Sequence, residues 1–104
     1  MNQGLIPSRY AKALFGYAAE KGVDARIYEL MHTLEDSFVA EPSLQQAVAN
    51  PFIPAPDKRK LLISAAGATD KDEVYVRFIQ LLVENNRLDA ARDIGLAYMK
   101  IYRS

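Results

Sequence analysis

The chain has no cysteine and a single histidine, His32, among its 104 residues. Without cysteine there are no disulfides, no thiolate zinc sites and no cysteine nucleophiles, and the composition suits a reducing compartment. One histidine cannot build a histidine-rich metal site, and neither a His-Glu-x-x-His pattern nor a calcium-hand spacing of acids occurs. His32 stands beside Met31 at the edge of an apolar helix face and reads as a surface or boundary residue. Glycine is sparse, and positions 4, 16, 22, 67 and 95 are too scattered to form a phosphate cradle or a dinucleotide turn. Neither sign of charge prevails: Lys plus Arg number 13 and Asp plus Glu 13, so the surplus of cations that neutralises nucleic-acid phosphates is missing. The one basic run, Lys58-Arg59-Lys60, points in different directions around a helix and reads as a solvated face.

Long apolar runs are missing too, since charges interrupt each of them well before the ~20 residues of a membrane-spanning helix. The opening Met1-Asn2-Gln3-Gly4-Leu5-Ile6-Pro7 has neither the basic front and apolar stretch of a signal peptide nor the Arg- and Ser-rich character of a transit sequence. The expected setting is therefore cytosolic, and a bacterial origin is favoured. Ser8, Ser37, Ser43 and Ser64 lack the context of a nucleophile elbow. The acidic pair Asp72-Glu73 lies at a helix start, where the dipole alone accounts for it. Catalysis is unsupported, and no cofactor or metal is expected.

What the chain does have is helix punctuation. A first helix is expected from Pro7-Ser8 to Glu20, stopped by Lys21-Gly22 with Gly22 left-handed. Arg9, Lys12, Gly16 and Glu20 form its polar stripe, and the alanines at 11, 13, 18 and 19 leave a thin surface that permits close approach. Asp24 is the expected N-cap of a second helix, whose Ile27, Leu30, Met31, Leu34 and Phe38 share one buried face. Glu41-Pro42-Ser43 breaks it, and Pro42 opens a short third helix through Val48-Ala49. Three prolines make the stretch from Asn50 to Pro56 a connector, with Phe52 and Ile53 expected to plug into the core. A fourth helix runs from Asp57 to Ala66 and stops at Gly67.

Asp70 and Glu73 have the form of a capping pair for a fifth helix. There Val74, Tyr75, Val76, Phe78, Ile79, Leu81, Leu82 and Val83 cover nearly the whole circumference, leaving a polar stripe of Arg77, Gln80 and Glu84. Such a helix is either central in its bundle or touches a partner on its second side. Asn85-Asn86 ends it, and a last helix spans Asp89 to Tyr102 with Ala91, Ile94, Tyr98 and Ile101 inward. The expected fold is all-α, one domain over residues 1–104, a compact six-helix antiparallel bundle. Six of ten aromatics are tyrosines, at 10, 17, 28, 75, 98 and 102. Tyrosine suits both interfaces and core boundaries, and composition does not decide between them.

Two stretches resemble a known family. Arg9-Tyr10-Ala11-Lys12-Ala13-Leu14-Phe15, with Tyr17-Ala18, is similar to the opening helix of the delta subunit of F-type ATP synthase, called the oligomycin-sensitivity-conferring protein in mitochondria. Leu81-Leu82-Val83-Glu84-Asn85-Asn86-Arg87-Leu88-Asp89 resembles that family's second signature, at the end of its fifth helix. Between them, Asn50-Pro51-Phe52-Ile53 resembles its connector, and Lys58 falls where the family often starts its fourth helix with lysines.

The resemblance implies a non-catalytic stator adaptor on top of the catalytic head, peripheral on the cytoplasmic face of the bacterial inner membrane. Its partner would be the N-terminal segment of an alpha subunit, bound as an amphipathic helix by the first and fifth helices. Carried over by position, the first helix would contribute Tyr10, Ala13, Leu14 and Tyr17, and the fifth Arg77 and Leu81, with Asn85 and Arg87 at its end. Leu14 and Leu81 fit the core equally well, and Arg87 fits a cap on the fifth helix's carbonyls. The family's C-terminal part, which meets the peripheral-stalk b subunit, has no counterpart in residues 1–104, so a fragment or isolated domain is implied, monomeric by itself and transmitting no torque. An RNA-associated bundle of the antitermination-factor type shares the helical outline, but balanced charge without aromatic–basic interleaving speaks against it. A self-associating death-domain-like bundle is the third reading, and sedimentation separates it from a monomer.

Overall fold

The helical spacing is realised throughout. A computed structural model describes residues 5–104, which form six α-helices, one 3-10 turn and no strand. The helices are α1 (Leu5–Glu20), α2 (Asp24–Ala40), α3 (Pro42–Ala49), α4 (Ala55–Ala65), α5 (Glu73–Glu84) and α6 (Ala91–Arg103), with the 3-10 turn at Leu88–Ala90 leading into α6. Residues 1–4, on which the reading of the opening segment and of Gly4 falls, lie outside the described residues. No described helix is long and apolar enough to cross a membrane.

Three of the helices stop by the same device. A left-handed residue turns the chain, and its own amide and the next one satisfy carbonyls of the last turn. After α1 it is Gly22 at φ 74°, with Gly22 N–H donating to Ala19 and Val23 N–H to Ala18. After α4, Gly67 at φ 73° repeats the pattern onto Ser64 and Ile63. After α5, Asn86 takes the same role at φ 57°, and Arg87 N–H donates 2.8 Å to the Leu82 carbonyl. Asparagine tolerates this conformation better than other residues with a side chain.

Helix α6 is the axis of the core. It packs along both α1 and α2, which meet each other only briefly. Small residues permit this: Ala11 and Ala18 of α1 and Gly95 of α6 are buried, and a methyl group added at Gly95 would stand 3.2 Å from the Met31 sulfur. Tyr98 is fully buried, and its hydroxyl donates 2.7 Å to the Asp24 carbonyl at the start of α2. Arg92, early in α6, chelates Glu35, late in α2, at 2.8 and 2.7 Å, and with the Tyr98–Asp24 bond at the other end this makes α6 antiparallel to α2. On the other side α5 packs on α4, where the buried Tyr75 hydroxyl donates 2.7 Å to the Leu62 carbonyl. Desolvation raises the pKa of both phenols, with Asp24 and Tyr102 adding to it at Tyr98, so both remain hydrogen-bond donors. Among the described residues no buried side-chain polar atom lacks a partner.

Several details differ from the expectations, each for a local reason. Asp24 is the first residue of α2 rather than its cap, and its carbonyl serves Tyr98. Asp70 and Glu73 do not cap α5. Asp72 holds the N-cap position, and its carboxylate accepts from Thr69 N–H at 2.9 Å and from Arg26 at 2.9 and 3.1 Å. Phe52 does not plug the core: it is 91% exposed. The Asn50 side chain accepts from Phe52 N–H at 2.8 Å, a tight turn in which Ile53 is half-buried while Phe52 stands outside. Helix α1 begins earlier than Pro7, because proline is tolerated in a first turn. Ile101 is only half-buried.

Gly95→Val should lower stability by about 1–3 kcal/mol through overpacking against Met31. Gly16→Ala, where nothing lies within 4 Å, should raise it by up to about 1 kcal/mol through helix propensity. Urea unfolding of the two variants checks the contrast. The carboxyls of Asp72 and Glu35 are held below the ordinary range by hydrogen bonds from Arg26 and Arg92. A carboxylate lowered in the folded state contributes its stability above the unfolded value near pH 4 and loses it as pH falls through the folded value. Asp72→Asn should therefore cost about 1 kcal/mol near neutral pH and weaken the acid-induced loss of stability, as followed by circular dichroism.

Candidate functional site

The residues that α1 and α5 do not give to the core face each other across an open groove of about 560 Å³. Tyr10, Ala13, Leu14 and Tyr17 form one wall and Val74, Arg77, Phe78, Gln80, Leu81 and Glu84 the other. Each set repeats at three- and four-residue intervals, so each is one continuous helix face. The groove exists because the two helices are anchored elsewhere, α1 on α6 and α5 on α4. At the C-terminal end of α5, Asn85 Nδ2 donates to the Tyr10 hydroxyl of α1 at 2.8 Å and ties the walls together.

The structure thus places six of the eight expected residues in the groove lining, and Asn85 reaches its edge through the Tyr10 hydroxyl. Leu14, at 6% exposure, is mostly core and offers the groove only its edge, whereas Leu81, at 43%, belongs to the surface. Tyr17 is 38% exposed, with the Lys21 ammonium 5.5 Å from its ring centre. Arg87 is the exception: it lies past the end of α5 outside the lining, and its backbone amide rather than its guanidinium caps the helix. Sequence reasoning passed over Val74, Phe78, Gln80 and Glu84 as groove residues. The spacing from Val74 through Arg77, Phe78 and Leu81 to Glu84 was a usable signal, since these positions recur at helical period.

The tyrosine question divides by position. Tyr75 and Tyr98 are core, and Tyr10 and Tyr17 line the groove. Tyr28 stacks on Tyr102 at 4.6 Å between ring centres, on another part of the surface. His32 is exposed on α2, its Nδ1 3.4 Å from Asp36. No group of three or more metal-ligating side chains occurs among the described residues. Within the groove stand one carboxylate, one guanidinium and no histidine, serine or threonine. That lining suits an apolar ligand with polar edges rather than proton transfer.

Fold and groove together define a small helical domain with a trough between two helices. The chain belongs to the ATP synthase delta (OSCP) subunit family, whose model matches residues 6–104. It is 44% identical over 103 residues to the ATP synthase subunit delta of Parabacteroides distasonis, covering 99% of this chain and 57% of that protein. Identity to the ATP synthase subunit delta of Phocaeicola vulgatus is 42% over 100 residues, covering 96% of this chain and 54% of the relative. For Bacteroides thetaiotaomicron the figures are 39% over 104 residues, 99% and 56%. The chain spans little more than half the length of these curated relatives. No solved structure matches it.

Adjacent leucines of α5 give the groove a direct test. Leu82 is fully buried, so Leu82→Ala should cost about 2–5 kcal/mol. Leu81→Ala, on the groove side, should cost less than about 1 kcal/mol. Thermal unfolding of the pair checks which side of α5 faces solvent.

Proposed function

We propose that this chain is the N-terminal helical domain of a delta-type subunit and acts as a stator adaptor of F-type ATP synthase. The observation that carries the reading is the α1–α5 groove, an apolar trough with a few polar anchors. An amphipathic helix buries its apolar face in such a trough and leaves its charged face in water. The helix proposed is the N-terminal segment of an alpha subunit on the catalytic head. Leu81, Tyr17 and Ala13 would take its apolar side chains, and Tyr10 with Asn85 would bound one end.

On this reading the domain is non-catalytic and needs no cofactor. A C-terminal part beyond residues 1–104 would join the b subunit of the peripheral stalk. The full-length subunit would hold the head against rotor torque and so support proton-driven ATP synthesis. The assembly would place it, peripherally, on the cytoplasmic face of a bacterial inner membrane, and the domain alone would be a monomer. Relatives that match nearly the whole of this chain and little more than half of their own length, each an ATP synthase subunit delta, support this reading.

The test is an NMR titration with a synthetic peptide of about twenty residues from the start of the cognate alpha subunit, long enough for a groove helix. Saturable shifts should centre on Tyr10, Ala13, Tyr17, Arg77 and Leu81. Leu81→Asp, which puts a charge on the trough, should weaken binding at least tenfold, about 1.4 kcal/mol, without unfolding the bundle. An unchanged spectrum at millimolar peptide would rule the partner out.

A further inference from the structure

Resting on the helix-in-groove reading, we propose that Arg77 and Glu84 form a two-point charge clamp that fixes the direction in which the bound helix lies. They are the two charged side chains lining the groove, opposite in sign and both exposed. Seven residues apart, they share one face of α5 and stand about 10 Å apart along its axis. Arg77 has no ion-pair partner among the described residues. Glu84 receives only a long hydrogen bond, 3.5 Å, from the Gln80 amide. Both charges are thus available to a ligand.

The rest of the lining is aromatic, aliphatic or neutral amide, and it discriminates poorly between the two directions of a helix. An apolar stripe read backwards is still an apolar stripe. Two unlike charges placed along the axis remove that degeneracy. The occupant they fit is an amphipathic helix with a carboxylate and a cationic side chain seven residues apart beside its apolar stripe. With the acid nearer its N-terminus, the helix satisfies Arg77 and Glu84 only when it runs parallel to α5. With the base nearer, it satisfies them only when antiparallel. The wrong direction sets like against like at both points, so the preference should be about tenfold and should shrink as salt rises.

Three synthetic helices with one apolar stripe test this: acid-first, base-first, and neutral with glutamine at both positions, each carrying a nitroxide at its N-terminus. Titrated into the isotope-labelled protein, the acid-first peptide should broaden amides near Val74 and Arg77. The base-first peptide should broaden those near Glu84 and Asn85. In the double variant Arg77→Glu with Glu84→Arg the two patterns should exchange. If the peptides bind and the nitroxide falls at the same end, or evenly at both, whatever the charge order, the clamp is wrong. If no peptide binds, the neutral one included, the groove reading itself fails and the clamp goes with it.

Discussion

The close seating of α6 between α1 and α2 is the constraint on which the other elements depend. It requires Ala11, Ala18 and Gly95 to be small, because the helices approach until Met31 lies against the Gly95 backbone. Interiors are packed densely enough that one added methyl group there must displace a neighbour. The same seam is pinned at its polar points by the Tyr98 hydroxyl and by the Arg92–Glu35 pair. A buried phenol that donates to a helix carbonyl gives its own hydroxyl a partner away from water, and its raised pKa keeps the donor in place. The pair contributes modestly, because both partners keep partial contact with water.

Once α1 has given one face to α6, its opposite face is left over. Helix α5 is fixed independently, by α4 through Tyr75 and by α2 through Arg26 and Asp72. Neither helix can move toward the other without breaking its own anchors. The trough between them is therefore a consequence of core packing, not of a loop that happens to stand open. The Tyr10–Asn85 hydrogen bond closes the remaining freedom at one end.

Much of this was legible in the sequence. The face of α2 from Ile27 to Phe38 is buried as its spacing implies, and Gly22, Gly67 and Asn86 end helices where glycine and asparagine signal a stop. The exposed side of α5 was marked only by a narrow polar stripe. Arg77, Gln80 and Glu84 are all exposed and Leu81 lies among them, but the extra apolar positions around the helix hid how much of that side faces water. The start of α5 misled for a different reason. Asp70 has the spacing of a capping residue, but Asp72 has a partner across the fold, Arg26, that no local pattern can reveal. Phe52 shows the limit of hydrophobicity alone: a turn built by Asn50 overrides its preference for the core. Six of the ten residues that line the groove, Tyr10, Ala13, Leu14, Tyr17, Arg77 and Leu81, were named by carrying positions over from the resemblance, and within each helix they recur at helical period. Arg87 could not be placed, since its position depends on how the chain turns after Asn86.

The way the trough is held bears on how it would bind. A site whose walls are anchored by separate core contacts loses little conformational freedom when filled, so less of the gain from burial is spent on ordering. Tyr10 is already oriented by Asn85, and Leu14 and Phe78 are already packed beneath the surface. For the proposed helical ligand, affinity would then come from apolar area along Ala13, Tyr17 and Leu81, where the transfer of surface from water is non-directional. Exposed charges add little to that total, but they are directional, and a ligand helix has two ways to lay an apolar stripe along an apolar trough. Apolar burial and charge thus answer separate questions at this site, how tightly and which way round.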